Sequence, residues 1–559
     1  MIAGVYAVHS MNERPIQDED ERRDIPSQQI DSSTQQNVLS TDLSEQETSA
    51  PASFKRRQRR ILVACCVLIF AKMAAPPLWV LIPPAPPQAF GAQNLALRLA
   101  TSGSTLVFMA FLLVGGVLGD LYGRRRLLLV GSICFVLANI LCIFATGLTP
   151  FIVSRLLVGA SSALMTPLIL AVIRLAFPPR QRIIAIGIYT AVVGVGTAVG
   201  PLTAQLLIQF ADWRTTYLLS IVCGSVGTVL AWRSIQESRV AGGMRRGDAI
   251  GTVAWSAVLL SLLFGLLEIN VGVFARVYTT LAILLGIWGL AVLAWLELRP
   301  SARTLYRSRV NKRALAIIIV AGCALNGVFI GSCLELYSFL RSIQGYSVIQ
   351  IILAFAPILP ALLVPIFISA RLGGRVDERT QTSVGFLLLA AGTFGLSFIG
   401  HQTSYWWLLF PLIVLGMGFS ATSAHLTNGF MSIVAPDLAG TAAGTNNAYT
   451  QVGNSIGATA LAAGILWFGH AAYAAASNLP PKEIRQHLAY MSDLTLRTFT
   501  LGSSSVLPDN LHELGADYQA AYAQGLGETL LVASVICLAM GALVWFGLRG
   551  VAIHPDQKN

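Results

Sequence analysis

Three charged side chains of this 559-residue chain stand inside long apolar runs: Lys72, Arg155 and Glu335. An ionisable group in membrane hydrocarbon costs several kcal/mol unless it is paired or hydrated, so each of them requires a partner or a function. Glu335 is the best-placed carboxyl for proton exchange, and the alternative is that it faces the water outside. Lys72, near the middle of its run, either contacts a substrate or forms a pair that fixes helix packing. Arg155 fits a structural ion pair.

Uncharged amides stand in the same kind of apolar surroundings at Asn326, Gln451 and Asn454. Their side chains offer both hydrogen-bond donors and acceptors, and they are candidates for the wall of a polar cavity. The alternative is that each one hydrogen-bonds between helices and stabilises their packing.

A third pattern of chemistry lies at the end of an apolar run, where Asp120 is followed by Arg124 and Arg125. At the edge of a membrane, Asp120 can cap the N-terminus of a neighbouring helix or pair with an arginine. Gly116 and Gly123 allow close helix approach and a tight turn. The alternative is that acid and basic residues at a helix end only mark its topology.

The elements that position these residues are predicted from composition and hydropathy. The chain is 55% hydrophobic and 12% charged, whereas about a quarter of the residues of a soluble domain are charged. A membrane-spanning helix needs roughly 20 apolar residues, and such runs predict fourteen spans. They are 61–82, 99–119, 127–147, 150–173, 183–209, 215–234, 250–269, 276–297, 313–340, 347–370, 383–400, 404–430, 440–468 and 526–549.

The distribution of Lys and Arg supports this division. With a cytoplasmic N-terminus, the segments predicted to face the cytoplasm hold 26 basic residues and the opposite loops hold seven. An excess of Lys and Arg in cytoplasmic loops is the usual topology of inner-membrane proteins. We therefore predict a multi-pass protein of the cell inner (plasma) membrane with both termini in the cytoplasm. The net charge of +11 is explained by topology, and it does not require a nucleic-acid partner.

An internal repeat predicts the arrangement of the helices. The phrase at 119–124 is echoed at 370–375, 251 positions later, and each copy follows the second helix of its half. Two parallel halves with a cavity between them suit alternating access, in which one half rocks against the other. The predicted segments are a disordered cytoplasmic tail (1–54), a six-helix half (55–249), two inserted helices (250–297) and a second six-helix half (298–559) with a long outer loop (469–525).

The segment from Gly116 to Arg125 resembles the signature loop between helices two and three of the major facilitator superfamily. Arg155 resembles that superfamily's intramembrane arginine, which implies that it relays coupling between substrate and proton. Gly196, Gly200 and Pro201 resemble the antiporter motif of proton-coupled exporters, which implies a fifth helix that bends and packs tightly against the opposite half. The alternative for these glycines is ordinary helix packing.

Asp212-Trp213-Arg214 and the glycine-rich stretch 440–457 resemble the fourteen-helix drug:proton antiporter family. The resemblance implies an all-α membrane protein with the major facilitator fold and proton-coupled efflux of small amphipathic compounds or drugs. The chain departs from that family at Ala74, where an aspartate usually lies nine residues before a proline. This departure leaves open two alternatives: an exporter of a specific metabolite or siderophore, and a membrane receptor that has this fold but does not transport.

The sequence lacks the patterns of several other classes of protein. It has no Gly-x4-Gly-Lys-Ser/Thr phosphate loop, no hydrolase elbow and no His-Glu-x2-His motif, which argues against an ATP-driven pump or an enzyme. We therefore expect no cofactor and no metal. The expected partners are a small-molecule substrate, protons and the lipid bilayer, and the expected oligomeric state is a monomer.

Overall fold

The computed structural model describes residues 52–75, 94–238, 312–372, 377–400, 403–434, 438–476 and 515–549, together with residue 284. Within these ranges the chain forms helices and no strand. The helices that we call the first bundle are α1 (Ala52–Met73), α2 (Asn94–Tyr122), α3 (Arg124–Ile143), α4 (Leu148–Ala176), α5 (Pro179–Phe210) and α6 (Leu218–Ser234), the last preceded by a 3-10 turn at Trp213–Tyr217. Those of the second bundle are α7 (Lys312–Ser342), α8 (Val348–Phe355), α9 (Ile358–Leu372), α10 (Glu378–Leu396), α11 (Tyr405–Ile433), α12 (Ala439–Ala476) and α13 (Gly515–Gly547).

The first helix ends earlier than the sequence predicts. The predicted span is 61–82, but α1 ends at Met73 and the chain turns at Ala74. Pro76 and Pro77 follow in the sequence, and a proline lacks the N–H donor and disfavours the helical conformation in the residue before it. As a result, Lys72 lies in the last turn of α1 and not near the middle of a span.

Two further boundaries differ from prediction. The span predicted at 347–370 is interrupted at Ala356-Pro357, because Pro357 cannot donate a helical hydrogen bond. The outer loop predicted at 469–525 is shorter, since α12 continues to Ala476 and α13 begins at Gly515. The predicted inserted helices at 250–297 lie outside the described residues, apart from residue 284.

Eight of the described helices are long and apolar enough to cross a membrane. The outward face of α3 shows the pattern: Val130, Ile133, Leu137 and Leu141 recur every three or four residues, and each is about half exposed. In a water-soluble protein such a stripe would face the core, so its outward position fits a lipid surrounding. The count of fourteen spans stays a prediction.

The two bundles meet where α2 and α4 pack against α12, and where α5 packs against α9 and α11. Glycines of α12 contact helices of both bundles. Gly440 and Gly444 lie against the backbone of α2, whereas Gly453 and Gly457 lie against the backbone of α7. The N-terminal part of α12 therefore contacts the first bundle, and its middle belongs to the core of the second bundle.

Candidate functional site

Asp120 joins the two bundles at the end of α2. Its side chain is buried and forms an ion pair with Arg124, with 2.7 Å between Oδ1 and Nη2. Oδ1 accepts a hydrogen bond from the backbone N–H of Gly440 (2.9 Å), and Oδ2 accepts bonds from the backbone N–H and the hydroxyl of Thr441 (2.8 Å each). The carboxylate thus occupies the N-terminus of α12, where unpaired N–H groups and the helix dipole favour an anion. We call these three bonds the Asp120 latch.

The latch depends on close contact between two glycines. A Cβ atom added to Gly116 would lie 2.2 Å from the carbonyl oxygen of Gly440, and a Cβ on Gly440 would lie 2.4 Å from the carbonyl oxygen of Gly116. Both distances are far inside van der Waals contact, so a side chain at either position would separate α2 from α12. That separation would move the N-terminus of α12 beyond the reach of Asp120.

The turn after Asp120 is held by Glu237, a residue that follows α6. Its two carboxylate oxygens accept hydrogen bonds from the backbone N–H groups of Arg125 and Arg126 at 3.1 Å each, and so cap α3. Gly123 has φ of 108°, and a Cβ there would lie 2.6 Å from Glu237 Oε1. The side chain of Arg125 donates to the carbonyl of Trp232 at 2.7 Å. Glu237 was not singled out from the sequence, although an acid just after an apolar span is a visible signal.

Arg174 makes a second contact between the bundles. It lies in the last turn of α4, is buried, and donates a hydrogen bond to the backbone carbonyl of Val434, the residue after α11. A cation at a helix C-terminus complements the helix dipole. The short connection from α11 to α12 is therefore held by Arg174 at one end and by Asp120 at the other. In the sequence Arg174 is one of several basic residues at the ends of spans, and nothing there indicates this specific contact.

Arg155 lies inside the first bundle. Its guanidinium donates to the hydroxyl of Ser104 at 3.0 Å, and the hydroxyl of Tyr217 lies beside it. Gly159 makes this packing tight, since a Cβ there would lie 2.2 Å from the carbonyl oxygen of Ser104. Among the described residues, no carboxylate forms an ion pair with Arg155. Within the described ranges the Arg155 guanidinium is therefore held by hydroxyl groups, and its coupling role stays a prediction.

The segment Asp212-Trp213-Arg214 closes one end of the first bundle. Arg214 pairs with Asp212 at 2.5 Å and donates to the carbonyl of Ile143 at 3.1 Å, at the C-terminus of α3. The ring of Trp213 packs edge-on against Phe151, with 5.6 Å between centroids. These contacts lie within the first bundle, where Arg214 caps the C-terminus of α3.

α5 packs against α9 and α11 of the second bundle, whereas its motif glycines, Gly196 and Gly200, pack elsewhere. Gly196 and Gly200 face α1 in the same bundle, where added Cβ atoms would lie 2.7 Å from Met73 Cβ and 2.9 Å from Ala74 Cα. Gly194 is one of the α5 residues that contact the opposite bundle, where it faces Leu362 of α9. Spacing alone does not reveal which face of an apolar helix meets which neighbour. The helix continues through Pro201 to Phe210.

Lys72 contacts uncharged groups. Its ammonium lies 4.3 Å from the centre of the Phe108 ring on α2, in cation–π geometry, and 3.7 Å from the sulfur of Met73. Phe108 belongs to a buried cluster with Met109 and Leu112, and Val452 of the second bundle packs against that cluster.

Glu335 is fully buried in α7. The exposure to outside water that the sequence leaves open is therefore not observed. The hydroxyl of Tyr522 on α13 lies beside the carboxyl, and the Tyr522 ring stacks on Phe339 with 6.4 Å between centroids. Glu335 is thus enclosed between the first and last helices of the second bundle.

The three amides hydrogen-bond within their own helices. Asn326 donates to the carbonyl of Gly322 on α7 at 2.8 Å, and Asn454 donates to Gln451 on α12 at 2.8 Å. All three side chains are half-buried. The structure does not gather the candidate residues into one cluster, because Lys72, Arg155 and Glu335 have different neighbours. In the described ranges, no group of three or more His, Cys, Asp or Glu residues could hold a metal ion.

Comparison with known proteins defines the class. The family model of the Major Facilitator Superfamily matches residues 61–458. The human organic anion transporter MFSD10 (TETRAN) has the same fold, with a TM-score of 0.54 at 13% identity, covering 87% of this chain and 100% of that structure. This chain belongs to the major facilitator superfamily and is a multi-pass membrane transporter.

Several curated relatives of this chain are named for resistance or export. The tetracenomycin C resistance and export protein of Streptomyces glaucescens is 26% identical over 495 residues, covering 85% of this chain and 88% of the relative. The puromycin resistance protein of Streptomyces alboniger is 30% identical over 377 residues, covering 66% of this chain and 74% of the relative. The relatives of this chain include antibiotic resistance and export proteins.

Proposed function

We propose that this protein is a proton-coupled exporter of small amphipathic compounds in the cell inner membrane, with both termini in the cytoplasm. The observation that carries the proposal is the Asp120 latch, a buried, charge-assisted contact between two bundles at one end of the molecule. A transporter that works by alternating access needs an inter-bundle contact that forms in one state and breaks in another. The similarity to the tetracenomycin C resistance and export protein supports the direction of transport.

The latch suits a reversible gate. When α2 and α12 separate, water can solvate both the Asp120 carboxylate and the N-terminus of α12, so the lost bonds are partly replaced. Arg124 stays four residues from Asp120 in the same region and remains available as a partner. In this proposal, Gly116, Gly123 and Arg125 hold the geometry of the gate, and the described structure has its cytoplasmic end closed.

Glu335 is the proposed proton carrier. Carboxyl groups inside membrane spans mark proton relays in transporters, and Glu335 is enclosed between α7 and α13 beside a hydroxyl. A rearrangement of α7 against α13 would hydrate the carboxyl and allow its proton to exchange. Arg155, held by hydroxyl groups within the first bundle, is the proposed relay on the substrate side.

A second candidate function is export of one specific metabolite or siderophore. It is favoured by Ala74, which stands where the drug:proton antiporters usually carry an aspartate. Under this hypothesis the protein binds one ligand tightly and does not lower the accumulation of unrelated drugs.

The test measures drug and dye accumulation in cells that express the wild type, Asp120→Asn or Glu335→Gln, with and without an uncoupler. We expect the wild type to lower accumulation, and both variants and the uncoupler to abolish that effect. Glu528→Gln is the matched control, because Glu528 lies on α13 and contacts Gln524 of the same helix. Export that persists in fully de-energised vesicles would refute proton coupling, and vesicles without flux of any bound ligand would favour a receptor.

A further inference from the structure

The environment of Lys72 carries a conclusion about the charge of the substrate. The ammonium is placed in the last turn of α1, against the Phe108 ring and the Met73 sulfur. These groups attract a cation only weakly compared with a carboxylate. When it is protonated, a lysine held by such partners carries a positive charge that they balance only in part.

The described residues provide no carboxylate that balances the charge of Lys72. The segment 76–93, which follows α1, contains no Asp or Glu. An anion supplied from outside the protein would complete the pair.

Lys72 also lies next to the contact between the bundles. Phe108, whose ring it covers, packs in the cluster that Val452 of α12 joins. Val452 stands between Gln451 and Asn454 in the sequence, and Asn454 Oδ1 is buried with no hydrogen-bond partner among the described residues. A cation and an aromatic ring therefore lie beside one contact between α2 and α12.

We infer that Lys72 is the anion-binding group of the substrate site, and that the preferred substrates are amphipathic organic anions with an aromatic body. The carboxylate or phenolate of such a molecule pairs with the ammonium, and its apolar rings pack against Phe108 and Met109. This inference rests on the proposed export function but concerns only which charge the site selects.

The test compares two dyes that share a xanthene ring system and differ in charge: carboxyfluorescein, an anion, and rhodamine 6G, a cation. Equilibrium binding to the purified full chain in lipid nanodiscs is measured by fluorescence anisotropy. We expect the wild type to prefer the anion, Lys72→Gln to weaken anion binding at least tenfold with little effect on the cation, and Lys72→Arg to retain the preference. Lys312→Gln, which removes a lysine at the first residue of α7, is the matched control.

Several results would overturn the inference. They are a wild type that prefers the cation, an equal loss of both dyes in Lys72→Gln, and the absence of any anion binding that depends on Lys72. If Lys72→Gln does not fold, Lys72→Met supplies a side chain of similar length without the charge. Because binding is measured without a proton gradient, failure of proton coupling would leave this result unchanged, and the two proposals can fail separately.

Discussion

Asp120 and Thr441 lie 321 positions apart in the sequence, yet one carboxylate oxygen of Asp120 accepts two hydrogen bonds of 2.8 Å from Thr441. One bond comes from the backbone N–H and the other from the side-chain hydroxyl. The contact therefore depends both on the N-terminus of α12 and on the residue type at position 441. This pair joins the end of α2 to the beginning of α12, so the contact between the two bundles depends on the charge of Asp120.

The first prediction concerns that charge. Asp120→Asn keeps an acceptor but loses the charge that pairs with Arg124 and with the N-terminus of α12. We expect the latch to weaken by about 1–3 kcal/mol, and the backbone amides of residues 438–445 to exchange hydrogen faster, as measured by mass spectrometry. Thr441→Val should have a smaller effect, because it keeps the backbone bond. An unchanged exchange rate in Asp120→Asn would contradict the role of the latch.

The second prediction tests the glycine contact. Gly116→Ala places a Cβ 2.2 Å from a carbonyl oxygen, so we expect loss of export and a lower thermal unfolding midpoint. Gly147→Ala is the matched control, because nothing lies within 4 Å of a Cβ there and its φ of −163° suits any residue. If both variants behave alike, the contact between α2 and α12 does not limit function.

The third prediction separates backbone strain from collision. The Cβ that Gly345→Ala adds has open space around it. The free energy of unfolding should therefore fall only by the cost of a left-handed residue, about 1–2 kcal/mol. Gly123→Ala adds a collision with Glu237, so its loss of unfolding free energy should be larger. Combining Gly123→Ala with Glu237→Ala should recover the steric part in a double-mutant cycle. Additive losses would show that Glu237 does not occupy this space.

The fourth prediction concerns Arg174. Arg174→Met removes the donor to the Val434 carbonyl while keeping an apolar stem, and we expect faster amide exchange across residues 434–441 together with reduced export. Arg233→Met, at an exposed arginine in the last turn of α6, is the matched control. Because Arg174 and Asp120 hold the same connection, the effects of Arg174→Met and Asp120→Asn should combine less than additively. Full additivity would mean that the two contacts act independently.

The sequence predicts the local features of this protein well and the long-range ones poorly. Hydropathy is a local property, so the run 99–119 predicts most of α2 (Asn94–Tyr122). The alternatives for Asp120, a helix cap and an arginine pair, are both observed, but the identity of the capped helix depends on tertiary packing across 320 positions. Prolines shift the end of α1, and with it Lys72, by a rule that hydropathy windows do not contain.

The main error in predicting this protein from its sequence concerns which face of each apolar helix meets protein and which meets lipid. An all-round apolar helix gives no signal of which side meets protein and which meets lipid. For this reason the sequence leaves open whether Glu335 is buried, and does not indicate that Gly196 and Gly200 face α1. Arg174 was missed for a related reason, because a basic residue at the end of a span is expected from topology alone.

α7 and α12 cross at a pair of glycines, and this crossing can act as a pivot for α12. Gly457 lies against Gly327 of α7 with no side chain between the two backbones, and Thr441 is about 24 Å away along the helix axis at 1.5 Å per residue. A tilt of α12 by about 5° around that crossing would displace Thr441 by about 2 Å over this distance, enough to break a hydrogen bond. A small rotation of α12 about its crossing with α7 would therefore release the first bundle.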